Sequence, residues 1–236
     1  MDLNELERVE SQQKNMTIIY KDFNENCMRR PFDPFLQWIG QLCKKHGISI
    51  EELLESCEVY LMHQKIFFSY FTNGVCVRTE SPILNEIAFE KKLFINEVVH
   101  MLTFLSKYEP LCMIFENINN AGYSTLEVLR ALMETACERI SIICTYNENE
   151  AEVDYTKEVW TSMVEFWESK DMLLDIMDEE ISEANRQKNH FCYSNNDIET
   201  YYVQLANMFH FMCYEQADHY LGVIYHKLEV EHVDID

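Results

Sequence analysis

Apolar positions along the chain fall into short blocks whose spacing changes from element to element. The opening LNELERVESQQK places Leu3, Leu6 and Val9 on one side of a short helix. MTIIYKDF (16–23) is an apolar run of strand length with Ile18 and Ile19 as buried positions. RPFDPFLQWIGQLCKKHG (30–47) sets two prolines at a helix entrance, then Phe35, Leu36, Ile39 and Leu42, and a glycine at Gly47 placed to stop it. In SIEELLESC (49–57) a serine stands three residues ahead of a glutamate, a helix-start pattern. Residues 65–80 fit either a helix end and turn or a hairpin around Asn73-Gly74. A long helix follows from about Ile83 to Tyr108, with Ile87, Phe94, Val98, Met101 and Leu105 near helical spacing.

Beyond it the chain alternates strand and helix. Leu111–Glu116 is a continuous apolar run with a polar tip, the form of a strand buried in a parallel sheet. A helix spans 124–137, and RISIICTY (139–146) is a second strand. An acidic loop, NENEAEVD, leads to a helix carrying Val159, Met163, Phe166 and Trp167. SEANRQKNHFCYSNND (182–197) is polar and irregular and marks a linker, before an aromatic-rich amphipathic stretch at 198–229. The pattern predicts an α/β fold, a small parallel sheet flanked by helices, with a helix-rich C-terminal part. Its units are 1–181, the linker, and a helical hairpin at 198–236.

Composition narrows the function classes. Of 236 residues, 47% are apolar and 13% aromatic, enough for a packed core. The 41 acidic and 19 basic residues leave a net charge of −22, which repels a phosphate backbone and excludes nucleic acid as a partner. The nine cysteines include no C-x-x-C pair, and Cys112, Cys144 and Cys213 sit in apolar runs as small buried hydrophobes. That usage, with no apolar h-region at the N-terminus, points to a reducing cytoplasm. No apolar stretch reaches the roughly 18 residues that span a bilayer, so no membrane partner is expected.

Three segments in one order carry a resemblance. RPFDPFLQWIGQL is similar to the segment after the first strands of STAND-type (AAA-related) regulatory ATPases. LCMIFENINNAGYSTLEVLRAL resembles their Walker B strand and helix, and ISIICTYNENE resembles the next strand, usually ending Thr-Tyr-Arg. Together they cover roughly residues 16–180. The resemblance implies a partial P-loop-NTPase-like sheet and a nucleotide site at the strand tips, marked here by Glu116, Asn117, Asn120, Thr145 and Asn147.

The departures decide what that site can do. No G-x-x-x-x-G-K-[ST] string occurs in the 236 residues, so the amide cradle and lysine that hold phosphates are missing. The acidic pair of Walker B is Glu116-Asn117, leaving one charged ligand for Mg²⁺. The usual His-Trp turn is Asn119-Asn120, and the usual arginine is Asn147. The implied site is vestigial, with no catalytic residue, no metal and no cofactor. In the family the P-loop strand lies beside the strand matching 139–146. Without it, Ile140, Ile142 and Cys144 line an exposed edge that invites a protein partner or a second copy. The expected function is a non-catalytic regulatory or protein-interaction module. The alternative is the distal part of an ATP–Mg-binding ATPase whose P-loop comes from upstream residues or another chain.

Other constellations are weaker. Tyr202, Leu205, Ala206 and Phe209, followed by Ala217 and Tyr220-Leu221, are spaced like a single tetratricopeptide repeat. One repeat cannot bury its own face, so the hairpin packs back on the main domain or marks a truncated array. His210, Cys213 and His219 lack a fourth zinc ligand. Glu148/Glu150 and Glu179-Glu180 read as a solvated acidic face, and Cys57 with His63 has no supporting nucleophile signature.

Overall fold

A computed structural model describes residues 16–23, 30–76, 87–135, 137–145, 154–170, 198–214, 216–218, 221–222 and 224–225. Its frame is three parallel strands in the order β1-β2-β3: β1 (Thr17–Asp22), β2 (Leu111–Glu116) and β3 (Ile140–Cys144). The register runs Ile18–Cys112–Ser141, Ile19–Met113–Ile142 and Tyr20–Ile114–Ile143 across the sheet. The α/β expectation holds. The central strand is the one with an uninterrupted apolar sequence, and Leu111 to Phe115 are all buried.

Between β1 and β2 come α1 (Phe35–His46), α2 (Ile50–Ser56), α3 (Leu61–Asn73) and α4 (Ile87–Ser106). Helix α1 ends as its sequence requires. Gly47 takes the left-handed conformation, φ 68°, that a side chain would strain, and its N–H bonds to the Cys43 carbonyl. Ser49 caps α2, its hydroxyl accepting the Glu52 N–H at 3.1 Å. Residues 61–73 are helix, closed by Gly74 at φ 71°, so of the two readings of 65–80 the helix and turn is the observed one as far as residue 76. Between β2 and β3 a 3-10 turn (Ile118–Asn120) leads into α5 (Tyr123–Thr135). Then follow α6 (Asp154–Ser169) and α7 (Ile198–His210). The expected opening helix, the acidic loop after Thr145 and the 182–197 linker lie outside the described residues.

Both crossovers, β1 to β2 and β2 to β3, move the same way across the sheet. Right-handed connections then put the intervening helices on one face. The core agrees with this. Ile19, Leu111, Met113 and Phe115 belong to the main hydrophobic cluster with residues of α1 to α7, and Ile140, Ile142 and Cys144 pack against it. Cys112 and Ile114, on the other face of β2, are buried but stand apart from that cluster. The C-terminal hairpin shares the main core, since Leu205, Met208, Phe211 and Met212 are members of the same cluster. It packs back on the α/β part. Among the described residues no helix is long and apolar enough to cross a membrane.

Candidate functional site

The carboxyl ends of parallel strands are where α/β folds present functional groups, because the crossovers leave a crevice there. Here that edge collects Asp22 from β1, Glu116 and Asn117 from β2, and Thr145 after β3. Asn117 has φ 56°, a left-handed conformation that asparagine tolerates better than other non-glycine residues. The turn aims its amide Nδ2–H at Asp22 Oδ1, 2.7 Å away, while its backbone N–H donates to Thr145 Oγ1 at 3.1 Å. The Tyr20 hydroxyl donates to Glu116 Oε2. Thr145 further ties the strand tips through backbone bonds to Phe115 and Ile118. The polar groups that the Walker-like sequence singled out are thus engaged with one another and with β1.

Of the five residues expected at a vestigial nucleotide site, Glu116, Asn117 and Thr145 come together. Asn120 turns inward: it is buried in the 3-10 turn, and its side-chain oxygen accepts from Asn119 at 3.2 Å. Asn147 lies outside the described residues. Asp22 and Tyr20 were not singled out by sequence. Their place follows only from the β1–β2 register, which sets Asp22 opposite Glu116.

A second polar cluster sits beside the first, where residues 30–34 meet the N-terminus of α5. Asp33 is buried, its Oδ2 2.9 Å from Lys21 Nζ. Burial pushes its carboxyl above the ordinary range against the pull of Lys21 and Arg30. The Asp33 carbonyl accepts the Thr125 hydroxyl at 2.5 Å, and the Phe32 N–H donates to Ser124 Oγ at 3.1 Å. The Ser124 hydroxyl in turn donates to Gln216 Oε1 at 2.8 Å. Gly122 is required here, because a Cβ would come within 2.8 Å of the Gln216 amide. Residues 30–34 and the C-terminal hairpin therefore fill the start of α5.

The other sequence candidates resolve into packing. His63 stacks on Phe94 with ring centres 3.7 Å apart, and its Nδ1 lies 2.7 Å from Glu97 Oε2, which also accepts the Tyr60 N–H. Cys213 is buried with its thiol 3.6 Å from the Phe211 carbonyl. Among the described residues no group of three or more His, Cys, Asp or Glu is placed to hold a metal ion. Glu148, Glu150, Glu179, Glu180 and His219 lie outside the described residues.

The third feature is β3 itself, which ends the sheet. Its ladder to β2 begins with the Leu111 N–H on the Arg139 carbonyl and finishes with the Thr145 N–H on the Phe115 carbonyl. Alternation along a parallel strand then turns Ser141 and Ile143 towards β2 and the backbone groups of Ile140, Ile142 and Cys144 outward. The Ile140 N–H is taken by the Cys137 carbonyl at 3.1 Å. Among the described residues nothing bonds to the outward groups of Ile142 and Cys144. Burial pushes the Cys144 thiol up to about 12, so it is neutral and unreactive at physiological pH. No known protein family, curated protein or solved structure matches the chain.

Proposed function

We propose that the protein is a non-catalytic regulatory or interaction module built on a degenerate STAND-like α/β frame, acting through protein contacts. One observation carries the reading. The sheet is closed for chemistry at its carboxyl end, where Asn117, Asp22, Glu116, Tyr20 and Thr145 pair with one another, and open for pairing at β3. Phosphate binding needs clustered backbone donors or cations, whereas this edge offers carboxylates and an asparagine already engaged.

Calorimetric titration with ATP–Mg²⁺ and ADP at millimolar nucleotide tests it. The expected result is no saturable heat. A dissociation constant tighter than about 10 µM, roughly −7 kcal/mol, overturns the reading, and Glu116→Ala then identifies whether the β2 tip is responsible.

A second reading draws on the bare side of the sheet. All crossovers lie on one face, and Cys112 and Ile114 on the other stand outside the main core. A further strand beside β3, leading by a right-handed crossover into β1, would lay its helix over that second face. That is the position in which upstream residues or another chain could supply a P-loop unit, making this chain the distal part of an ATP-binding signalling ATPase.

A further inference from the structure

We infer that the outer edge of β3 pairs with the β3 edge of a second copy of this chain, antiparallel, about a two-fold axis through Ile142; this rests on the interaction-module reading and names its partner. The outward groups of the strand are self-complementary in that arrangement. Ile142 faces Ile142 of the other copy as a hydrogen-bonded pair, each N–H on the other's carbonyl. The Cys144 N–H then meets the Ile140 carbonyl of the other copy, and the reverse, so that both outward N–H groups on each chain are satisfied. The Ile140 N–H, for which this register leaves no need, is the one already spent on Cys137.

Charge selects this edge over the other. Two chains of net charge −22 repel each other, so they can approach only where the surface is uncharged. Ile140–Cys144 carries no ionisable acid or base other than its neutral thiol. Edge β1, by contrast, carries Lys21 and Asp22, the charges that commonly guard an edge against pairing. The contact is one short strand pair, far below a standard interface, so a transient dimer with a dissociation constant of order 100 µM is expected.

The test is sedimentation equilibrium of the full chain from about 1 to 300 µM, a range that brackets such an affinity. It is paired with NMR amide exchange at Ile142 and Cys144. The expected result is a reversible monomer–dimer equilibrium, with both amides exchanging freely when dilute and slowing as the dimer forms. Ile142→Pro removes an outward N–H without touching the ladder to β2, and should abolish the dimer while keeping the circular dichroism of the monomer. Should that variant fail to fold, Ser141→Glu on an exposed position adds like charge across the axis and should weaken pairing about fivefold. A dimer untouched by either substitution uses another surface and overturns the inference. A chain that stays monomeric with freely exchanging amides also overturns self-pairing, leaving the edge open to a different protein. Amides already protected in the dilute monomer mean the chain covers its own edge, and that result removes the interaction reading as well.

Discussion

Asp33 illustrates how a residue invisible as a motif controls the polar cluster at the head of α5. Two effects compete on its carboxyl. Burial disfavours the charged form, and the Lys21 ammonium at 2.9 Å favours it. Burial is the larger, so the folded protein holds the proton more tightly than the unfolded chain. Linkage then fixes the sign: the stability associated with protonated Asp33 is fully present below the ordinary carboxylate range and is lost as pH rises through the raised folded value. Asp33→Asn removes that loss. Urea unfolding of both proteins from pH 4 to 8 should show the asparagine variant gaining on the wild type as pH rises. The opposite trend would mean that the ion pair with Lys21 outweighs the cost of burial. The partners of Asp33 explain why sequence gave no warning. The Thr125 hydroxyl on its carbonyl lies 92 residues away, and the Gln216 amide reaches the neighbouring Arg30 carbonyl, 3.4 Å off, from 186 residues away.

Among the elements, the attachment of α7 to the turn after α3 rests on one side chain. Asn207 is fully buried, its oxygen accepting the Cys76 N–H and its nitrogen donating to the Gly74 carbonyl, both at 2.9 Å. Asn207→Ala strands a buried donor and acceptor of the 74–76 turn and should cost about 1–3 kcal/mol by denaturant titration, whereas an exposed neighbour such as Tyr202→Ala should change little. The elements legible in the sequence are those with an unambiguous period or punctuation. β2 and β3 were readable as unbroken apolar runs, and α1 by its prolines and Gly47. Helix α3 was not, because it is apolar all round. Ile66 and Phe67 are buried while Leu61 and Phe68 face water, so no 3.6-residue stripe separates helix from hairpin. At the carboxyl edge, Glu116, Asn117 and Thr145 were found through the apolar strands that end in them. Tyr20 and Asp22 escaped notice because strand register, which sequence alone does not fix, brings them there.

At the scale of the molecule, the question is whether the C-terminal hairpin is a separate unit beyond its linker or part of one cooperative body. Phe211 answers through its surroundings. Its ring is fully buried and meets Phe32, Phe67, Tyr70 and Phe94 with centres 5.3–5.5 Å apart, joining the 30–34 segment, α3 and α4 to the turn that follows α7. A residue that anchors the hairpin is thus at the centre of the core of the α/β part. Truncating it cannot release the hairpin alone, because the same cavity opens beneath α3 and α4. Phe211→Ala should therefore cost about 3–5 kcal/mol, a large share of the total stability of a domain, and should lower one common transition rather than create a second. Trp38, buried in α1 far along the chain from the hairpin, reports the α/β part by fluorescence, and far-ultraviolet circular dichroism reports all helices. Coincident urea transitions by both probes, in the wild type and in Phe211→Ala, are the result expected of a single body. An early loss of helical signal with Trp38 fluorescence unchanged would instead make the hairpin an independent unit, and the shared aromatic cluster a contact rather than a common core.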